Sequence, residues 1–287
     1  MGAMLVTFAE GGQNVLRPGL LTGDAVADLS PRYPTIASFL AEHPAGWDPA
    51  MDAPAGLPTH ACANLRIGPP IDPGNLVYAV GANYRQHAEE AGLSVPSQPV
   101  IFSKAYTALV GPGEPIVIPP VSNQLDYEGE MAVVIGRNAT RVSREEARNC
   151  VAGVTILNDT TARDLHWVEL GRHRIVDWFA SKNLDRSSPL GPGIASIRAI
   201  PDLHRLRLKT TLNGTVMQEA DTSLMVYDTF TLIEFITARA TLRAGDVVAT
   251  GTPFGVGGFR EIFLKQGDTV RIELEHVGAL ENGVHGG

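Results

Sequence analysis

The stretch DYEGEMAVVIG, residues 126–136, sets three acids directly against an unbroken apolar run. Its Val and Ile content favours a strand, and strand side chains alternate with a period of two, so Glu128 and Glu130 project from one face. Two ionised carboxylates at a half-buried strand end are costly without a counter-charge. The pair therefore calls for a cation.

Working outward, short β-like runs recur at 76–81, 115–119, 130–136, 154–159, 207–214, 246–251 and 269–277. "LNGT" (212–215) places Asn-Gly between two of them, the signal of a tight hairpin. Before these, Met4–Phe8 and Ala25–Leu29 read as a small β-meander broken by "EGGQ" and "LTGD", followed by a helix over Ile36–Glu42. "RIGPPIDPGN" (66–75) is rich in Pro and Gly and reads as a linker. It divides the chain into a small N-terminal β-rich domain, 1–70, and a larger domain, 71–287.

Helices are few. Ser143 and Glu146 form a capping box ahead of a helix stopped by Gly153. Thr231 and Glu234 stand in the same relation, and residues 161–170 can be helical, which would bring Arg163 one turn from Asp159 as an ion pair. No long helices alternate with strands and no repeat is present, which excludes a Rossmann sheet, a TIM barrel and a solenoid. The fold class is α+β, strand-dominated, a roll or sandwich.

The 287 residues carry a formal charge of −8 with no Lys/Arg run, so neither nucleic acid nor an anionic membrane is an expected partner. Two cysteines, outside any CxxC spacing, suit a reducing, cytoplasmic setting. Asp159, at the end of "VTILND", joins Glu128 and Glu130 as a third acid in a strand-end context. An all-oxygen set of this kind suits Mg²⁺ or Mn²⁺. A helix N-cap is the competing role for Asp159. In "NYRQHAEE", His87 and Glu90 lie three apart, one helical turn, so a carboxylate can orient an imidazole as general base. The glycine-rich "ATGTPFGVGG" (249–258) lacks the Gly-Lys-Ser/Thr of a P-loop. Its backbone N–H groups and Thr252 either make a tight turn or cradle a substrate carboxylate.

Together, "AVGANYRQHAEEAG" (79–92), "PVIFSKAYTALVGPGEPIVIP" (99–119), "DYEGEMAVVIG", "ILNDTTARDLHW" (156–167), "WFASKNLDRSSPLGPGI" (178–194) and "LRAGDVVATGTPFGVG" (242–257) resemble the fumarylacetoacetate hydrolase family. The resemblance spans residues 76–284. It implies a mixed β-sandwich roll, a homodimer, and metal binding by Glu128, Glu130 and Asp159. It carries catalytic roles to His87, Glu90 (with Glu89 a lesser partner) and Lys182, and substrate contacts to Arg163, His166 and Thr252. Tyr84 reads as packing. The chain departs from the family pattern at His166, where relatives have Gln, and at Ser181 and Asn183 flanking Lys182.

The implied reaction is hydrolysis of a C–C bond in a 2,4-dioxo acid, of acylpyruvate or diketo-deoxy sugar acid type, through a metal-bound enolate. Decarboxylation of oxaloacetate or isomerisation of a 2-oxo acid can use the same enolate. A non-catalytic binding protein is the alternative class, and it would have no need of the His87–Glu90 pair.

Overall fold

The computed structural model describes residues 2–50 and 56–287. One large mixed sheet runs, in spatial order, through Thr59–Ala61, Ala25–Asp28, Arg17–Thr22, Met4–Glu10, Ser188–Ser196, Val151–Asn158, Gly129–Ile135, Val247–Ala249, Val77–Gly81 and Val100–Lys104. Short strands Leu65–Gly68 and Leu109–Val110 attach to Met4–Glu10 and Ser188–Ser196. A five-stranded sheet, ordered Thr215–Asp221, Arg207–Leu212, Thr269–Leu274, Gly278–Gly286 and Ile116–Ile118, covers one face. This is the strand-dominated roll expected.

Gly129–Ile135 shows how the alternation is used. Met131, Val133 and Ile135 enter the core shared with Leu208, Ile272 and Leu280 of the smaller sheet and with Leu232 and Ile236 of the helix Thr229–Thr237. Ala132 and Val134 face the opposite way, into a core with Leu5, Phe39, Trp47 and Phe102. Both faces are covered, so every residue of the strand is buried. Gly129, between the two glutamates, is needed for close approach of the layers: a Cβ there would lie 2.2 Å from Thr210 Oγ1.

The N-terminal meander forms as expected, as does the helix Ile36–Glu42. The linker reading of 66–75 does not hold locally. Leu65–Gly68 pairs with Met4–Glu10, and Pro69, Pro70 and Ile71 are buried. Met4 and Leu5 in turn pair with Ala195 and Ile194, so the sheet crosses the 70/71 division. We propose that division as one of roles, because 1–70 contains none of the candidate site residues.

Three local readings are corrected. Residues 161–170 are not a helix: a turn of 3₁₀ helix, Arg163–Leu165, leads into the strand Trp167–Leu170, which pairs with His173–Val176 around Gly171. Arg144–Ala147 has the Ser143 box, but a strand begins at Val151, so Gly153 is a strand residue rather than a helix stop. Thr229–Thr237 is capped by Asp228, which accepts from Thr231 N, and not by Thr231. Asn213 and Gly214, both at positive φ, make the two-residue hairpin between Leu212 and Thr215.

Candidate active site

Glu128, Glu130 and Asp159 converge where Gly129–Ile135 and Val151–Asn158 meet. Each offers an oxygen within 4.8 Å of the others, and all three are buried. The pairing Gly129↔Asn158 sets their proximity, reinforced by the bond from Asp159 N to Glu128 O. Asp159 is therefore a residue following a strand, and it caps no helix.

Three cations surround the acids. Lys182, from the helix Trp178–Lys182, donates to Glu128 Oε2 at 2.8 Å and to Asp159 Oδ2 at 2.6 Å. Lys104, at the end of Val100–Lys104, sits 2.7 Å from Asp159 Oδ1 and donates to the Lys182 carbonyl at 2.6 Å. The Oδ1 contact is a close ion pair without hydrogen-bond alignment, so that buried oxygen retains an unused acceptor direction. Arg163 bridges Glu128 Oε1 and Asp126 Oδ2, each at 2.7 Å, instead of pairing with Asp159. The helix that would have aligned Arg163 with Asp159 is absent, and the 3₁₀ turn aims the guanidinium across to the neighbouring strand.

The charges sort by neighbourhood. Burial alone would raise Glu128, yet Lys182 and Arg163 hold it well below the usual carboxylate range. Glu130 has no such partner; burial, with Asp159 beside it, pushes it well above. Its one hydrogen bond is from the Gly251 N–H at 2.8 Å, with the Lys182 ammonium acting on it without contact. Burial also lowers Lys104, whereas Lys182 is raised despite burial because it touches two carboxylates. Three carboxylate oxygens, one with a free acceptor direction, match the hard-oxygen donor set of a divalent cation. The residues present fit such an ion.

His87 and Glu90 share the helix Arg85–Glu90, with Nδ1 3.6 Å from Oε2, somewhat long for a hydrogen bond. The pair is tied to the acidic centre through the glycine-rich loop, whose Gly255 N–H meets Glu90 and whose Gly251 N–H meets Glu130. Although burial opposes it, contact with His87 and the Gly255 N–H holds Glu90 below its ordinary range.

The glycine-rich loop does what neither sequence reading anticipated. Its Gly251 N–H bonds Glu130, Gly255 N–H bonds Glu90, and Gly257 and Gly258 N–H bond Asp126. These donors serve the protein's own acids. The Thr252 hydroxyl is likewise engaged, with Gly129 O and Gln218 Nε2. His166 lies edge-on to Trp167 and Trp178 with Nδ1 3.2 Å from Ser181 Oγ; burial pushes its pKa down to about 4, aided by Arg163 and Lys182. Tyr84 is buried, as a packing residue should be, although its hydroxyl has no hydrogen-bond partner. Lys104 and Asp126 were not anticipated as site residues.

A strand-rich roll carrying a buried, cation-binding acidic centre is the class this arrangement defines. The chain belongs to the fumarylacetoacetate hydrolase family: the description of that family's C-terminal domain matches residues 76–285. A mitochondrial oxaloacetate tautomerase of Bos taurus is 38% identical over 91% of this chain and 84% of its own length. The fumarylacetoacetate hydrolase of Exiguobacterium antarcticum superposes with a TM-score of 0.82 at 32% identity, covering 99% of this chain and 100% of its own. The maleylpyruvate hydrolase of Sphingobium sp. SYK-6, solved with manganese(II) and pyruvate, gives 0.77 at 28% identity, covering 99% of each chain. Family members are enzymes acting on oxo acids. Among the described residues, no helix is long and apolar enough to cross a membrane.

Proposed function

We propose that the protein interconverts the keto and enol forms of a short 2-oxo dicarboxylic acid of the oxaloacetate type, with Mg²⁺ or Mn²⁺ held by Glu128, Glu130 and Asp159. The observation that carries this reading is the buried triad with Lys182 bridging two of its acids and the His87–Glu90 pair joined to it through the Gly251–Gly255 loop. Support for the substrate class comes from the bovine tautomerase, similar along nearly the whole chain.

When bound, the cation supplies Lewis-acid polarisation of the keto group. His87, oriented by Glu90, removes a proton from C3. The C–H electron pair becomes the C2=C3 double bond, and the carbonyl π pair moves to oxygen. Lys182 stabilises that enolate oxygen as charge develops. The proton then returns to oxygen to give the enol, and the reverse sequence restores the ketone. Arg163, partly exposed and fixed by two acids, meets the substrate's distal carboxylate. His166, neutral in its aromatic setting, and Thr252 shape the pocket's wall. A homodimer and a cytoplasmic location are proposed from the family resemblance and the cysteine usage.

Hydrolysis of a 2,4-dioxo acid is the second reading, favoured by the maleylpyruvate hydrolase likeness; there His87 would take its proton from water. Following oxaloacetate enol absorbance and analysing products separates the two. Tautomerisation yields no new acid, hydrolysis yields two acids, and decarboxylation yields CO₂. The His87→Ala variant is expected to lose about 10²–10⁴-fold in rate with Mn²⁺ affinity retained. Undiminished turnover would remove His87 from the mechanism.

A further inference from the structure

Asp126, the first acid of DYEGEMAVVIG, has no part in metal binding or proton transfer, yet its carboxylate is wholly buried. Oδ1 accepts from Tyr127 N and Gly257 N, both at 2.8 Å. Oδ2 accepts from Gly258 N and Arg163 Nε, both at 2.8 Å, with Arg163 Nη2 at 2.7 Å. Every neighbour on both oxygens is a donor.

We infer that Asp126 is a positioning residue that locks the metal triad and the base pair into one geometry. One arm runs through Arg163, whose Nη2 then reaches Glu128 Oε1 at 2.7 Å. The other runs through the loop: with Gly257 and Gly258 pinned, Gly255 N–H meets Glu90, and Phe259 lies 6.1 Å, centroid to centroid, from the His87 ring. The requirement is for an acceptor without hydrogens. An Asn amide in the same place would turn N–H groups toward N–H donors on one side or the other. Loosening either arm moves a functional group rather than removing one, so the loss should resemble that of other outer-shell partners. The catalytic part of this inference rests on the function proposed above; the metal part does not.

The test is a double-mutant cycle on the full-length protein, with Mn²⁺ alone as probe in calorimetric titration. Asp126→Asn and Arg163→Met are each expected to weaken Mn²⁺ binding by about 10–100-fold, and together to weaken it little beyond the larger single effect, since one arm carries both. With oxaloacetate at saturating Mn²⁺, Asp126→Asn should lower kcat over the same range and also raise KM, because Arg163 is released from its place at the substrate's distal carboxylate. Wild-type Mn²⁺ affinity in Asp126→Asn, or effects that multiply in the double variant, would overturn the assignment. Should Asp126→Asn not fold, Gly258→Ala strikes the same junction without removing charge, because its Cβ would lie 2.8 Å from Arg163 Nε. It is expected to weaken Mn²⁺ binding too, and a wild-type affinity there counts equally against the inference. The titration contains no substrate, so it remains decisive even if oxaloacetate is not turned over.

Discussion

Replacing Lys104 by Met tests whether the ammonium groups hold the acidic centre together. The aliphatic stem is kept and the charge deleted at a site where Nζ lies 2.7 Å from Asp159 Oδ1 and donates at 2.6 Å to the Lys182 carbonyl. Asp159 would then face Glu130 with Lys182 as its one remaining cation. Removing one partner of a buried ion pair costs about 3–5 kcal/mol. The lower end applies here, because burial already draws the Lys104 ammonium toward neutrality. In a chain of this size each kcal/mol moves the melting temperature by about 2–4 °C, so metal-free Lys104→Met should melt on the order of 10 °C below wild type. A divalent cation at a hundred times its Kd adds about 2.7 kcal/mol, so the variant in Mn²⁺ should melt near metal-free wild type, with wild type rising by as much. Calorimetric scans with and without Mn²⁺ measure both. If metal-free Lys104→Met melts within about 2 °C of wild type, the charge-balance argument fails.

Glu128→Gln keeps the shape of a triad member but removes the charge that Lys182 and Arg163 stabilise; Mn²⁺ titration should show binding lost, and retained stoichiometric binding would remove Glu128 from the site. His166 carries a pH signature. Its pKa is about 4 when folded against 6.5 ordinarily, so the unfolded chain binds the extra proton between those values. The stability it confers is complete above pH 6.5 and is lost as pH falls toward 4. His166→Gln should therefore melt less steeply with acidification over that window, and parallel curves would contradict the burial argument. Gly257→Ala would put a Cβ 1.9 Å from Ile262 O and 2.6 Å from Asp126 Oδ1; a loss of about 1–3 kcal/mol or more is expected in urea denaturation, and a neutral result would mean that the loop adjusts freely.

The Glu128–Glu130 pair was legible because strand alternation is a local rule, and Asp159 because it ended a readable apolar run. The hairpin over 167–176 was missed although Gly171 marked its turn: "ARDLHW" satisfied helical spacing just as well, and only the pairing of Trp167 with Val176 decides between them. Ser188–Ser196 gave little strand signal, with Pro189, Gly191, Pro192 and Gly193 inside it, yet it lies between Met4–Glu10 and Val151–Asn158. Lys104 could not be found from "FSKAY", since a lone lysine in sequence is ordinarily a surface charge. Its burial depends on Asp159, 55 positions on. The loop's N–H groups were read as making a turn or meeting a substrate carboxylate; that they meet Glu130, Glu90 and Asp126 is a fact of tertiary structure.

Strand pairing across long stretches of chain also sets an order of assembly. Met4 and Leu5 pair with Ala195 and Ile194, far later in the chain, and Ile116–Ile118 pairs with the still later Gly278–Gly286. Such non-local pairing is slow to form. Until those later strands are made, the nascent chain presents unpaired apolar edges, which are open to association with other chains. Chaperone supply during expression, more than the stability of the finished protein, should govern its soluble yield. Truncation before Gly278 should depress that yield more than loss of residues at the tip of the 167–176 hairpin.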